Sequence, residues 1–237
     1  MSKICIPKVA WLYWDKGWSN APTIVRACRN RLTRINPDWT FHFLSDENLD
    51  EFINLDGLGN IPVQAKSDAI RILLLEKFGG IWLDATLYVN LPLDEWLWDN
   101  LGQEFFAFSN PRKNFGRIVS SWFLAGRNDN YIINKWKIET LKYWENREEA
   151  DQYFWFHNLF KEMYDKDEKF SLLWDRTNKI DCDVGTRQGP HFFAPYTDEI
   201  LKSIASQEVP ASPVFKLTWR VDLLKSPVIQ ELFKDDM

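Results

Sequence analysis

Three cysteines in 237 residues are too few and too scattered to staple this chain. Cys5, Cys28 and Cys182 stand far apart, no Cys-x-x-Cys pair suggests zinc, and an odd, sparse set fits a reducing compartment. Positive charge is also in short supply, with 29 Lys and Arg against 34 Asp and Glu and a net charge of −5. That balance offers no basic field to gather nucleic acid. No apolar run reaches the roughly 18 residues of a membrane span. Near the N-terminus Lys3 is followed by no long apolar stretch, since Pro7 and Lys8 interrupt it, and this argues against a signal peptide. These absences predict a cytoplasmic protein with no transmembrane segment. Several enzyme signatures are missing too. There is no Gly-x-x-x-x-Gly-Lys-Ser/Thr loop for a P-loop nucleotidase, no Gly-x-Gly-x-x-Gly for a dinucleotide, and no Gly-x-Ser-x-Gly elbow for a hydrolase.

Tryptophan, by contrast, is abundant, at 13 residues. Indole faces stack on sugars and bases as well as in cores, so the composition leans toward carbohydrate or nucleotide binding. The length suits one large α/β domain that buries about three-quarters of its unfolded surface.

The first third of the chain alternates. Val9–Trp14 is β-branched and aromatic and predicts a strand. Pro22 suits a first helical turn, and Ile24, Cys28, Leu32 and Ile35 follow at helical spacing until Asn36-Pro37. Trp39–Leu44 predicts a second strand, and Ser45-Asp46-Glu47 opens a short helix running to Ile53. Strand, helix, strand, helix, strand up to Asp84 predicts a parallel sheet with right-handed crossovers. Later segments are mixed. Phe105–Phe108 and Ile118–Leu124 read as strands, Asn130–Trp144 and Gln152–Tyr164 as helices, and Lys166–Lys169 as a charged turn. Thr186–Ala194 reads as an irregular loop, Asp198–Ala205 as a short helix, and Val214–Trp219 as a last strand or ordered loop. No repeat, low-complexity segment or linker divides the chain.

The stretch Lys66–Leu93 organises the rest. Ser67 is a good helix cap, Asp68 then falls in the first turn where the dipole favours negative charge, and Gly79-Gly80 stops the helix. Ile81-Trp82-Leu83 reads as a strand buried on both faces, with Asp84 at its carboxyl end. Asp68 and Arg71 are three apart on one helix and therefore neighbours. Asp84 and Thr86 are two apart and face the same way if the chain stays extended. Ligands of open α/β sheets collect beyond the carboxyl ends of strands. A carboxylate there, beside Asp and Arg, could hold sugar or ribose hydroxyls and a metal-bound diphosphate. The bland alternatives are a strand-end Asp capping a turn and an intrahelical ion pair.

Ser67-Asp68-x-x-Arg71, Gly79-Gly80-Ile81-Trp82-x-Asp84 and Pro92-Leu93 together resemble the "DXD" glycosyltransferases of the initiating-mannose or glucosylating-toxin type. They resemble the capsular polysaccharide synthesis branch more closely. The resemblance covers Val9–Trp144 well and the remainder loosely. It implies a single GT-A (nucleotide-diphospho-sugar transferase) domain over 1–237, with a mixed, mainly parallel sheet flanked by helices. Residues 1–93 would form the nucleotide-sugar half and 94–237 the acceptor half. It assigns Asp84 to the donor and a divalent cation, Mn²⁺ or Mg²⁺, and Asp68 and Arg71 to the donor sugar. Trp11, Tyr13 and Trp14 end the first strand, and the resemblance sets an aromatic there against the uracil ring, best matched by Trp11. Trp11 and Tyr13 would share one face and Trp14 take the other, and core packing competes for each. His191 is the candidate for a late metal ligand, with a hydrogen-bonded loop histidine as the alternative. Ser120-Ser121-Trp122 would line the sugar and acceptor side. Lys216-Leu217-Thr218-Trp219 resembles a closing element in which Lys216 offsets charge on the leaving diphosphate. One departure stands out: Thr86 replaces the second Asp, and a hydroxyl is a poor ligand for a hard cation.

The expectation is a retaining hexosyltransferase. It would use a UDP-sugar and a saccharide or lipid-linked saccharide acceptor in surface polysaccharide assembly, at the inner membrane face where the acceptor is lipid-linked. Two other readings stay open. One is a non-catalytic nucleotide- or carbohydrate-binding module. The other is a glycoside hydrolase using Asp68 and Asp84.

Overall fold

A computed structural model describes residues 6–110, 116–182, 212–220 and 222–237. The predicted alternation appears at once, as β1 (Val9–Tyr13), α1 (Thr23–Ile35), β2 (Thr40–Leu44), α2 (Val63–Phe78) and β3 (Gly80–Leu83). Then come β4 (Leu87–Val89), α3 (Leu97–Asn100), β5 (Phe105–Ser109), β6 (Val119–Gly126), α4 (Tyr131–Trp144), α5 (Trp155–Lys166) and α6 (Glu168–Asp175). β7 (Val214–Lys216) and α7 (Pro227–Leu232) follow. The main sheet has the order β2-β1-β3-β6-β5, and β4 and β7 form a separate two-stranded sheet. β2, β1 and β3 are parallel, whereas β6 runs antiparallel to both β3 and β5. This is the expected mixed α/β sheet flanked by helices, with its parallel part built from the first third of the chain.

Strand alternation sorts the core into two layers. Ala10, Leu12, Ile81, Leu83, Phe106 and Phe123 pack on one face, and Trp11, Tyr13, Trp82, Phe105 and Leu124 on the other. β3 is buried along its whole length, as its apolar run implies. Gly79 and Gly80 both carry positive φ, 69° and 92°. At Gly80 a Cβ would lie 2.3 Å from the carbonyl oxygen of Val9, so only glycine lets β3 close on β1.

Several expectations change. α2 begins at Val63 after Pro62, so Ser67 is not its cap and Asp68 is not in its first turn. Pro62 supplies the fixed φ that starts the helix a turn earlier. The helix expected from Ser45 to Ile53 shrinks to one 3-10 turn, Leu49–Glu51. The side chains of Ser45 and Asn48 bond nearby backbone N–H groups and compete with helix formation there. The charged turn at Lys166–Lys169 is only a one-residue break. Asp167 caps α6, a helix the sequence reading lacked, by accepting from the Phe170 amide at 3.0 Å. Asp198–Ala205 and Thr186–Ala194 lie outside the described residues. Among the described residues no helix is long and apolar enough to cross a membrane.

Candidate functional site

Asp84 leaves the carboxyl end of β3 with its amide bonded to the Trp122 carbonyl at 2.9 Å. The chain does not stay extended after it. The Leu87 amide returns to the Asp84 carbonyl at 3.1 Å, making a turn through Ala85 and Thr86. The two side chains are therefore not related by strand alternation, as the spacing suggested. They are joined instead by Lys216. Its Nζ lies 3.0 Å from Asp84 Oδ2 and donates to Thr86 Oγ1 at 2.5 Å. β7 brings it there: Lys216 pairs with Leu87, and the Leu217 amide bonds the Thr86 carbonyl at 2.9 Å.

Arg71 closes the other side. Its Nη2 is 3.4 Å from Asp84 Oδ1 and its Nη1 is 3.0 Å from Asp68 Oδ1. Nη1 also donates to the Ser121 carbonyl at 2.9 Å and hydroxyl at 2.5 Å, while Nε donates to the Ser67 carbonyl at 3.2 Å. The guanidinium carbon sits 5.2 Å from the centroid of the Trp82 ring. Trp82, two residues before Asp84 on the same strand face, donates its indole N–H to Asp84 Oδ1 at 3.1 Å. That contact escaped the sequence reading, though the i, i+2 spacing carried the signal.

Two acids and two bases thus converge, as expected of Asp68, Arg71, Asp84 and Lys216. Their protonation differs. Burial, opposed by Arg71 and reinforced by Asp84, raises the Asp68 carboxyl to about 6. Burial also works against the charge on Asp84, but Lys216, Arg71 and the Trp82 N–H outweigh it and hold that carboxyl below its ordinary value.

Trp11 does not reach this site. Its ring is 2% exposed, stacks on His42 at 4.5 Å, packs on Phe52 and Phe78, and donates its N–H to the Gly79 carbonyl at 2.9 Å. It points toward the amino end of β3 and serves the core, so base stacking on Trp11 is corrected. Tyr13 is buried too, and its hydroxyl donates to Asp46, raising the phenol's pKa through burial and that carboxylate. Asp46 also pairs with Lys66 at 2.6 Å and lines a pocket of about 410 Å³ with Leu49, Asp50, Ile53 and Lys66. The aromatic surface at the end of β1 is Trp14, which meets Trp219 edge-on at 5.8 Å. Trp219, three residues after Lys216, is 49% exposed. His191 lies outside the described residues.

A divalent cation at Asp84 meets a poor fit. The Asp84 and Thr86 oxygens that would ligate it already hold an ammonium. Among the described residues no three His, Cys, Asp or Glu side chains are grouped to hold a metal.

Fold and site define an α/β domain with a charged cradle at the carboxyl edge of its parallel strands. The chain belongs to the capsular polysaccharide synthesis protein family, whose model matches residues 2–234. It is 25% identical over 177 residues to the O-glycosyltransferase braB of Annulohypoxylon truncatum, covering 66% of this chain and 42% of that protein. It is 29% identical over 150 residues to the glycosyltransferase afumC of Aspergillus fumigatus, covering 53% and 38%. The chain thus spans about two-fifths of the length of these relatives. Among solved structures it is similar to the PaToxG glycosyltransferase, with 15% identity, a TM-score of 0.48, and coverage of 97% of this chain and 86% of that one.

Proposed function

We propose that this protein is a glycosyltransferase of GT-A type that moves a hexose from a UDP-sugar to a saccharide hydroxyl, with retention, in surface polysaccharide assembly. One observation carries the reading. Asp68, Arg71, Asp84 and Lys216 come from three separate segments and meet at the carboxyl end of β3, where open α/β sheets bind ligands. Family membership and the names of the relatives support it. Asp84, Asp68 and Arg71 hold the donor sugar. Trp14 and Trp219 take over from Trp11 as the indoles for the base. In the reaction the bond from the sugar anomeric carbon to the diphosphate breaks, and its electron pair leaves on the diphosphate. The acceptor oxygen bonds that carbon and passes its proton to the departing diphosphate oxygen. Positioning and charge stabilisation supply the catalysis.

Nucleotide release from a panel of nucleotide sugars, with and without oligosaccharide acceptors, tests this. At least one donor should turn over, and Asp84→Ala should lower the rate about a hundredfold or more in protein of unchanged near-UV circular dichroism. Full activity in that variant removes Asp84 from the mechanism. The binding-module reading draws on one feature, that both Asp84 oxygens are already paired with cations. Nucleotide binding without turnover across the panel would favour it.

A further inference from the structure

We infer that the Lys216 ammonium holds the place of the divalent cation, so that the donor diphosphate is neutralised by a lysine and not by a metal. This rests on the nucleotide-sugar reading above and makes it more specific. Lys216 Nζ contacts both side chains of the Asp84-x-Thr86 turn, at 3.0 and 2.5 Å. A hard cation needs oxygen ligands at about 2.0–2.6 Å. Placed on those same two oxygens, it would fall on the ammonium's position and be repelled by it.

The lysine is not a surface side chain passing by. Its backbone is registered opposite Leu87, the following amide is bonded to the Thr86 carbonyl, and its side chain is 16% exposed. Thr86 fits the same account. A hydroxyl accepts well from an ammonium and ligates a divalent ion poorly. With both acids ionised, Asp68 and Asp84 balance Arg71 and Lys216 in the resting cradle, so the arriving diphosphate takes Lys216 over from Asp84. The Thr and the Lys therefore form a matched pair, one giving up a ligand and the other supplying the charge. As the sugar–diphosphate bond breaks, the negative charge that grows on the leaving oxygens meets Lys216.

Calorimetric titration of the full chain with UDP, and in parallel GDP, separates the cases. Wild-type affinity should differ by less than about twofold between EDTA and Mn²⁺. In EDTA, Lys216→Met should bind about tenfold or more weakly, with Lys216→Arg staying much closer to wild type because it keeps the charge. Added Mn²⁺ should strengthen nucleotide binding by Lys216→Met, with a bound-Mn²⁺ electron paramagnetic resonance signal that wild type lacks. A wild type that loses about tenfold in EDTA overturns the inference, as does a folded Lys216→Met that binds like wild type in EDTA. Either result leaves the donor reading standing. Absence of nucleotide binding under every condition overturns the donor reading and this inference together.

Discussion

Arg71 shows how one side chain can serve both the core and the site. It is 5% exposed, and its donors reach two carboxylates, two serines and the backbone of β6. Removing it leaves Asp68 without its cation. Arg71→Ala should therefore destabilise the protein by about 3 kcal/mol, read as a shift in urea midpoint. Arg71→Lys should recover only part of this, because a single ammonium cannot reproduce the fork. Asp68 gives a pH signature. Its carboxyl titrates at about 6 in the folded chain against an ordinary 3.8. A raised carboxyl pKa costs stability once the group ionises, so the cost is absent below about pH 4 and complete above about pH 6, reaching roughly 3 kcal/mol. Relative to wild type, Asp68→Asn should gain stability as pH rises through that window, as urea melts at pH 4, 5, 6 and 7 would show. Asp84, with a lowered pKa, acts oppositely, contributing stability that is lost as pH falls. The meeting of Asp68, Arg71 and Asp84 was legible because acid, guanidinium and strand-end positions are written in local spacing. Trp11 was misread because alternation says which face a ring takes but not whether His42 and Phe78 already cover it.

Among the elements, the Gly79-Gly80 step has the narrowest tolerance. Gly80→Ala places a methyl at φ 92° against the Val9 carbonyl, and should cost about 2 kcal/mol or more in thermal or urea unfolding. Gly79→Ala is milder in contact, with its nearest neighbours at 3.1 Å, but carries the same backbone strain. The helix stop, the buried strand and the parallel sense of β1, β2 and β3 could be read from alternation and glycine placement; their spatial order, β2-β1-β3, could not. The start of α2 could not, because a proline cap one turn upstream competed with an equally plausible serine. Nor could the turn after Asp84, which is set by pairing with β7, about 130 residues away. No window of local sequence contains that information.

At the scale of the whole molecule, the C-terminal segment ties the site to the first helix. Asp236, 2% exposed, receives Arg34 at 2.8 and 3.0 Å, while Asn30 bonds its carbonyl at 2.8 Å. Phe233 packs edge-on against Tyr88 of β4 at 5.1 Å. β4 in turn registers β7 and so Lys216. Asp236→Ala should cost roughly 1–3 kcal/mol, tempered by the exposure of Arg34, and lower the melting temperature. Nucleotide binding should weaken with it if the tether sets the lysine's position.

The strand-end acid and its ammonium are encoded far apart, and the contact between them closes a very long loop. Such closures are penalised early in folding and rewarded late. A chain still being assembled therefore holds Asp84 with Arg71 alone, and the second positive charge arrives when β7 pairs with β4. The same separation lets inheritance retune the pocket's charge by altering a short distal segment, leaving the glycine step and the buried strand untouched.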